Sequence, residues 1–406
     1  MSRLTILISG AGIAGSTLAY WLRRCGFEPV IVERAPEFRS GGYMIDFWGL
    51  GFEVADRMGL VRRLQEVGYQ IERIQFVDEK NNLRSELNGD VFRRALGQRF
   101  VSLPRGDLAR AIFDLVADNT EVIYDDSISA LHEAADGVQV NFTRRAPRKF
   151  DLVVGCDGLH SAVRTAAFGA EAKFEKYLGY CTASFLTADY PRRNEHAYFS
   201  YAAPGRQISR YALRDGRTAF FIVFAQPESP NEKPPDARRL LHKTFRHDRW
   251  IELPEILRRL DRCDDLYFDA VSQIGMPSWS RGRCVLVGDA AFCPSLLAGE
   301  GASFAMAGAY ILAGELQRAG GDYAQAFAAY EKRFRPFIER KQRSAAQFAT
   351  SFAPRTRFGL FVRDQVLRLA SVCRPVANFL MRRFVADTFA LPDYAIGGGA
   401  PNFENR

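Results

Sequence analysis

Three acids in this chain each close a short apolar run: Glu33 ends PVIVE, Asp157 lies in VVGCDG and Asp289 in VLVGDA. A carboxylate at the end of a buried strand can accept hydrogen bonds from sugar hydroxyls, and glycine nearby lets backbone approach a ligand. Ahead of Glu33, Gly10, Gly12 and Gly15 spell G-x-G-x-x-G. In this spacing Gly10 permits a tight turn, Gly12 admits a pyrophosphate close to the backbone, and Gly15 lets helix pack on strand. Ala14 opens the helix pattern that follows, whose amino-terminal amides and dipole favour a phosphate. Glu33 stands 18 residues beyond Gly15, near the roughly 20 expected of an acid on a ribose hydroxyl. An acid there argues for an unphosphorylated adenosine ribose, hence FAD or NAD. The chemistry indicated is dinucleotide binding.

The elements that must position these groups follow a common plan. Leu4 to Ile8 is a continuous apolar run, as in a buried parallel strand. A helix pattern through Ala14, Leu18, Trp21 and Leu22 ends at Gly26, and a second strand closes at Glu33. Leu152 to Val154 and Val285 to Val287 repeat the strand, ending at Gly155-Cys156-Asp157-Gly158 and Gly288-Asp289. A helix carrying Ser161 and Arg164 follows the first. A loop through Pro294 and Gly299-Glu300-Gly301 leads from the second into an Ala-rich helix over 302–316. Three such junctions predict a ligand laid along the carboxyl edge of one sheet, in an α/β, Rossmann-like fold.

Composition limits the alternatives. The chain has 406 residues, 47% hydrophobic and 25% charged, enough for two lobes with a large core. Its formal charge of +8 is mostly arginine and is not gathered into a basic run, so anionic small molecules fit better than nucleic acid. Seven dispersed cysteines without C-x-x-C spacing argue against a disulfide framework or zinc site and suit a reducing cytoplasm. No G-x-S-x-G elbow or paired histidines point to nucleophilic catalysis; His160 is expected to face solvent. No run of about 18 apolar residues predicts a membrane span.

The combination of GxGxxG, D-G and G-D resembles the single-component FAD-dependent aromatic hydroxylases of the p-hydroxybenzoate hydroxylase type. In form the chain is most similar to the compact tetracycline-inactivating monooxygenases, over about residues 4 to 345. The resemblance implies FAD, with NADPH or NADH as reductant, and oxygen transfer from a flavin C4a-hydroperoxide to an electron-rich aromatic or polyketide-like substrate. It places Gly288 and Asp289 on the ribityl–pyrophosphate region, and Pro294, Gly299, Gly301 and Ala302 beside the isoalloxazine. Arg105, in SLPRGDLARAI, takes the pyrophosphate side. In FRSGGYMIDFWG, Asp46 contacts FAD and Arg39 assists NADPH. Arg34 lies over the adenosine, with a surface salt bridge as its other reading. Asp157 serves FAD and NADPH, or else anchors Arg164 or a neighbouring loop. Two positions depart from the family pattern: Phe292 stands where histidine is usual and Glu300 where glutamine is, altering the polarity beside the flavin. A non-redox FAD scaffold and a flavin-dependent reductase remain alternative uses of the same fold.

Residues 1–70, 100–174 and 276–340 are expected to form the FAD-binding domain, and 71–99 with 175–275 a mostly antiparallel substrate-binding sheet. Asp215-Gly216 marks a hairpin. In the helical segment 341–406, Phe358, Val362, Val366, Leu369, Cys373, Val376 and Leu380 define one apolar helix face. That face is expected to bridge the lobes, with Pro375 kinking the helix and GGGAPNFENR disordered. A monomer or homodimer is expected.

Overall fold

Strands that are apolar on both faces need cover on both sides, and helices supply it here. A computed structural model describes residues 3–38, 43–91, 96, 99–192, 194, 196–229, 236–373, 375–377, 379 and 389–396. Its six-stranded sheet runs Ser280–Arg281, Cys284–Leu286, Leu152–Gly155, Thr5–Ser9, Glu28–Val32, Glu121–Ile123. All neighbours are parallel except the first pair. Ser9 is level with both Gly155 and Val32, and Gly155 with Leu286. The GxGxxG turn, Glu33, Asp157 and Asp289 therefore leave the sheet at one edge.

The Ile13–Arg24 helix is buried from Ile13 to Leu22 and packs on the Gly301–Arg318 helix, buried from Ser303 to Leu316. This accounts for the alanine- and glycine-rich composition of the second helix. A Cβ added at Gly308 would lie 3.1 Å from the Phe292 ring, and one at Gly314 would overlap the Tyr394 ring at 2.2 Å. The Tyr323–Phe352 helix, capped by the Asp322 side chain, covers the outer side through Phe327, Tyr330, Phe334 and Phe337. Its far end places Phe352 against Phe221, on the other sheet.

That second sheet has seven strands: Tyr267–Ile274, Glu175–Thr187, Thr218–Ala225, Arg206–Ala212, Ala197–Ala203, Arg73–Val77 and Leu83–Asn88. Only the pairing of Ala197–Ala203 with Arg73–Val77 is parallel. The Asp215-Gly216 hairpin forms as expected, with Gly216 at φ +86. A ribbon of Met44–Trp48 and Phe100–Pro104 connects the sheets, and a three-stranded meander spans Ile128–Phe150. Among the described residues, no helix is long and apolar enough to cross a membrane.

The carboxyl-terminal helix corrects one expectation. Arg357–Val372 lies along the edge strand Leu83–Asn88 with its apolar stripe turned outward: Phe358 is 75% exposed and Val362, Val366 and Leu369 are also exposed. Its inner face is short and partly polar. Leu360 and Ala370 pack inward, Asp364 accepts from Ser85, and Ser371 Oγ donates to the Glu86 carbonyl (2.5 Å). This edge strand offers backbone groups and Ser85, so the face that can bond them is the one that docks. The long Tyr323–Phe352 helix spans the two sheets instead. Residues 389–396 return to the first core, where Tyr394 Oη donates to Glu315. Residues 397–406, expected to be disordered, lie outside the described residues.

Replacing Leu360 by Ala should lower unfolding stability by about 2 to 4 kcal/mol, whereas Phe358→Ser should change it by under about 0.5 kcal/mol. Chemical denaturation of both variants checks which face is covered; a reversed ranking would contradict this docking.

Candidate active site

The cradle is built from backbone crowding. Gly10 has φ +99, and a Cβ there would lie 2.7 Å from the Cys156 carbonyl oxygen. A Cβ on Gly15 would lie 1.9 Å from the Gly10 oxygen, so helix and turn touch only because both lack side chains. Gly12 is different: a Cβ would meet nothing within 4 Å. It is the N-cap of the Ile13–Arg24 helix, without a side-chain cap or an acid in the first turn. The open side of the turn thus faces away from protein, beside helix amides that suit a pyrophosphate. Glu33 accepts from the Ala11 and Ala35 amides, each at 2.9 Å, bracing the turn, while Arg34 beside it is exposed.

Gly288, at φ +68, packs closely but less tightly: a Cβ would lie 3.3 Å from the Cβ atoms of Ala14 and Ala305. Small side chains at Ala14 and Ala305 let two helix amino ends converge on Asp289. Burial pushes the Asp289 carboxyl above its ordinary range, opposed by the Arg105 charge and a hydrogen bond with the Cys293 thiol. Arg105 opens the Arg105–Phe113 helix, and its amide donates to the Tyr43 carbonyl at 2.9 Å. Its charge is also felt at the Tyr43 phenol, which burial pushes up to about 12, and at Tyr267, raised further by burial. Tyr43 and Tyr267 stand 5.8 Å apart, and Tyr43 lies 5.7 Å from Phe221. The fold therefore gathers Tyr43, Arg105, Tyr267, Asp269 and Asp289 where ribbon and sheets meet.

The loop after Asp289 is held at several points. Gln273 Nε2 donates to the Pro294 carbonyl (2.9 Å) and Gln342 Nε2 to the Cys293 carbonyl (3.1 Å). Ser295 adopts φ +109, a region that favours glycine, and Gly299 has φ +71. Such outliers cluster at functional sites because surrounding contacts must enforce them. A Cβ on Gly301 would lie 3.5 Å from Asp289 Oδ1, and Ala302 beside it is half-buried. Phe292 does not alter this site. It is buried on the far side, 4.7 Å from the Trp279 ring and 5.7 Å from Phe334. The helical turn over Asp289–Phe292 ends with this side chain in the core, against Phe334 of the Tyr323–Phe352 helix.

Asp157 turns into its own motif. It accepts from Ser9 Oγ (3.1 Å), Ser161 Oγ (2.5 Å) and the Ala162 and Val163 amides (2.9 and 3.2 Å). Arg164 is buried and goes elsewhere, to the Ala290 carbonyl at 3.0 Å and Glu171 at 2.5 Å, tying the D-G and G-D segments together. Asp46 accepts from Ser102 Oγ and from Tyr198 Oη (3.3 Å), and burial raises its carboxyl against both bonds. Arg39 lies outside the described residues. Sequence reasoning missed Tyr43, Tyr267, Asp269 and Ser295, which carry no local spacing signal.

His160 is half-exposed but paired rather than free in solvent. Its ring spans Glu171 (Nδ1 to Oε1, 2.8 Å) and Asp269 (Nε2 to Oδ1, 3.3 Å), joining the D-G motif to the seven-stranded sheet. Asp269, then Glu171, raise the imidazole to about 9 from its ordinary 6.5. A raised folded value means stabilisation present in full below about 6.5 and lost as pH rises through about 9. The stability advantage of the native protein over His160→Gln should therefore shrink between these pH values in parallel thermal melts. A pH-independent difference would contradict the ion-paired imidazole.

Comparison with known proteins agrees with this geometry. A family model described as FAD binding domain matches residues 3–344. A flavin-dependent monooxygenase of Legionella longbeachae is 32% identical over 96% of this chain and 98% of its own length. An uncharacterized protein of Mycobacterium tuberculosis is 38% identical over 83% of this chain and 91% of its own. The crystal structure of tetracycline destructase Tet(51) superposes with a TM-score of 0.81 at 30% identity, covering 97% of this chain and all of that one. An exposed-amide cradle, a half-buried acid one helix turn from a strained loop, and these likenesses along almost the whole chain lead to one assignment: the chain belongs to the FAD binding domain family and is an FAD-dependent monooxygenase.

Proposed function

We propose that this enzyme uses NADPH or NADH to reduce its FAD and then hydroxylates an electron-rich aromatic or polyketide-like small molecule in the cytoplasm. The observation that carries this is the half-buried cluster of Tyr43, Arg105, Tyr267, Asp269 and Asp289 at the junction of the sheets. Bound flavin supplies the redox and oxygen chemistry; the protein supplies binding, orientation and exclusion of water. Among the described residues no group of three His, Cys, Asp or Glu is arranged to hold a metal.

The chain's residues divide the work as follows. Gly12, Ala14 and Gly15 present helix amino-terminal amides to the pyrophosphate, Gly10 turns the chain beneath them with its amide on the Val32 carbonyl, and Arg105 meets the charge. Glu33 and Arg34 meet the adenosine. Asp289, with its carboxyl raised by burial, bonds ribityl hydroxyls. Gly288, Pro294, Gly299, Gly301 and Ala302 line the ring with backbone. Asp46 meets the FAD, Arg39 assists the nicotinamide donor, and Asp157 braces the D-G turn that serves both. Residues 1–70, 100–174 and 276–340 hold the cofactor, 71–99 and 175–275 cover the substrate, and 341–406 buttress both. Tyr43 stays protonated well above neutral pH, so its hydroxyl donates a hydrogen bond to an oxygen-rich substrate. Similarity along 97% of the chain to a protein titled a tetracycline destructase supports a polycyclic, oxygenated substrate. The non-redox alternative loses its footing, because Phe292 lies in the core and Glu300 is paired with Lys341.

Anaerobic mixing of the flavin-loaded protein with NADPH or NADH should bleach the flavin absorbance, faster with a fitting phenolic or polycyclic compound. Flavin that stays oxidised with both donors would defeat the reading. Asp289→Ala should lose FAD with its circular dichroism intact. Gly12→Ala should keep its melting temperature yet weaken FAD binding at least tenfold, whereas Gly15→Ala should lose at least about 2 kcal/mol of stability.

A further inference from the structure

Glu300 and Lys341 form an ion pair between the loop after Asp289 and the Tyr323–Phe352 helix. Nζ and Oε1 are 2.6 Å apart, and the side chains are only 10% and 14% exposed. Glu300 is the N-cap of the Gly301–Arg318 helix, but its side chain bonds none of the helix amides. It turns to Lys341, whose ammonium lies 5.8 Å and 5.7 Å from the Phe304 and Phe337 ring centroids. The next residue, Gln342, donates to the Ile274 and Cys293 carbonyls. Adjacent residues on one helix thus hold both ends of the 293–300 loop. An uncharged bond would suffice for that, and burying two ions carries a desolvation penalty. The charges therefore invite a role of their own.

We propose that the Glu300–Lys341 pair sets the reduction potential of the FAD bound at this loop, with Lys341 cancelling the anion at the amino end of the Gly301–Arg318 helix. The inference rests on FAD lying along the loop, as in the proposed function. Two-electron reduction adds two electrons and one proton to a neutral isoalloxazine, leaving it with one negative charge. A helix amino terminus favours that charge, and an uncompensated carboxylate at its N-cap opposes it. Lys341 removes the opposition while Glu300 keeps the lysine charge from overshooting.

The flavin-loaded protein, reduced stepwise by dithionite beside a reference dye, gives the midpoint from absorbance. Lys341→Met should lower the midpoint and Glu300→Gln should raise it. Each shift should be at least tenfold in the reduction equilibrium constant, about 30 mV for a two-electron couple. Lys341→Arg and the double variant should stay near the native value. Shifts of the same sign, no shift, or loss of flavin from both single variants would overturn the proposal, since a purely structural staple affects both alike. Native protein that takes up no FAD would instead sink the assignment of the loop, and this inference with it.

Discussion

Close approach of backbone to backbone at the carboxyl edge of the parallel sheet is the constraint on which the rest of the structure depends. The Gly10 turn fits under Cys156 and against Gly15 only without side chains, and Gly288, at φ +68, sits close between Ala14 and Ala305. Two helices consequently begin within reach of one another, and their unpaired amides and dipoles face one region. A ligand with anionic and hydroxyl groups can satisfy those amides. The long buried helix from Gly301 must therefore be made of small residues, since it packs against the first helix and against the tail at once.

Charge at the site is arranged against this background of low solvation. Asp289 and the phenols of Tyr43 and Tyr267 are all disfavoured in ionised form by burial, and Arg105 is the cation whose field they share. Further out, Arg164 ties the two acid-bearing segments together from inside the core, and Lys341 meets Glu300. Arg164 thus reaches the Ala290 carbonyl and Lys341 the Glu300 carboxylate across segment boundaries. Shifting one segment would disturb the others, which is how the sheets are kept in register without a disulfide. All seven cysteines are free.

The cradle was legible in sequence because its signals are contiguous. Apolar run, glycine spacing, helix pattern and acid occupy residues 4 to 33, and the open space at Gly12 and crowding at Gly15 follow the roles their spacing implies. Asp289 was legible through the glycine before it and the small residues after it. Asp157 was legible as a motif but not as a set of contacts: its bonds run to Ser9, Ser161 and helix amides rather than to Arg164. Phe292 was misplaced because the rings that enclose it, Trp279 and Phe334, come from other segments that a linear motif does not show.

By itself the sequence determined the parallel sheet edge, the dinucleotide turn and the acid-ended strands, since each depends on interactions within a few residues. Tertiary structure decided the company these groups keep. Tyr43, Arg105, Tyr267 and Asp289 come from segments up to 246 residues apart (289 minus 43), and a lone tyrosine or arginine has no local signature. It also decided which side of the Arg357–Val372 helix is covered. Periodicity tells which residues share a face, but the surface that the face meets belongs to another part of the chain. There the edge strand's carbonyls and Ser85 selected the polar side and left the apolar stripe outside.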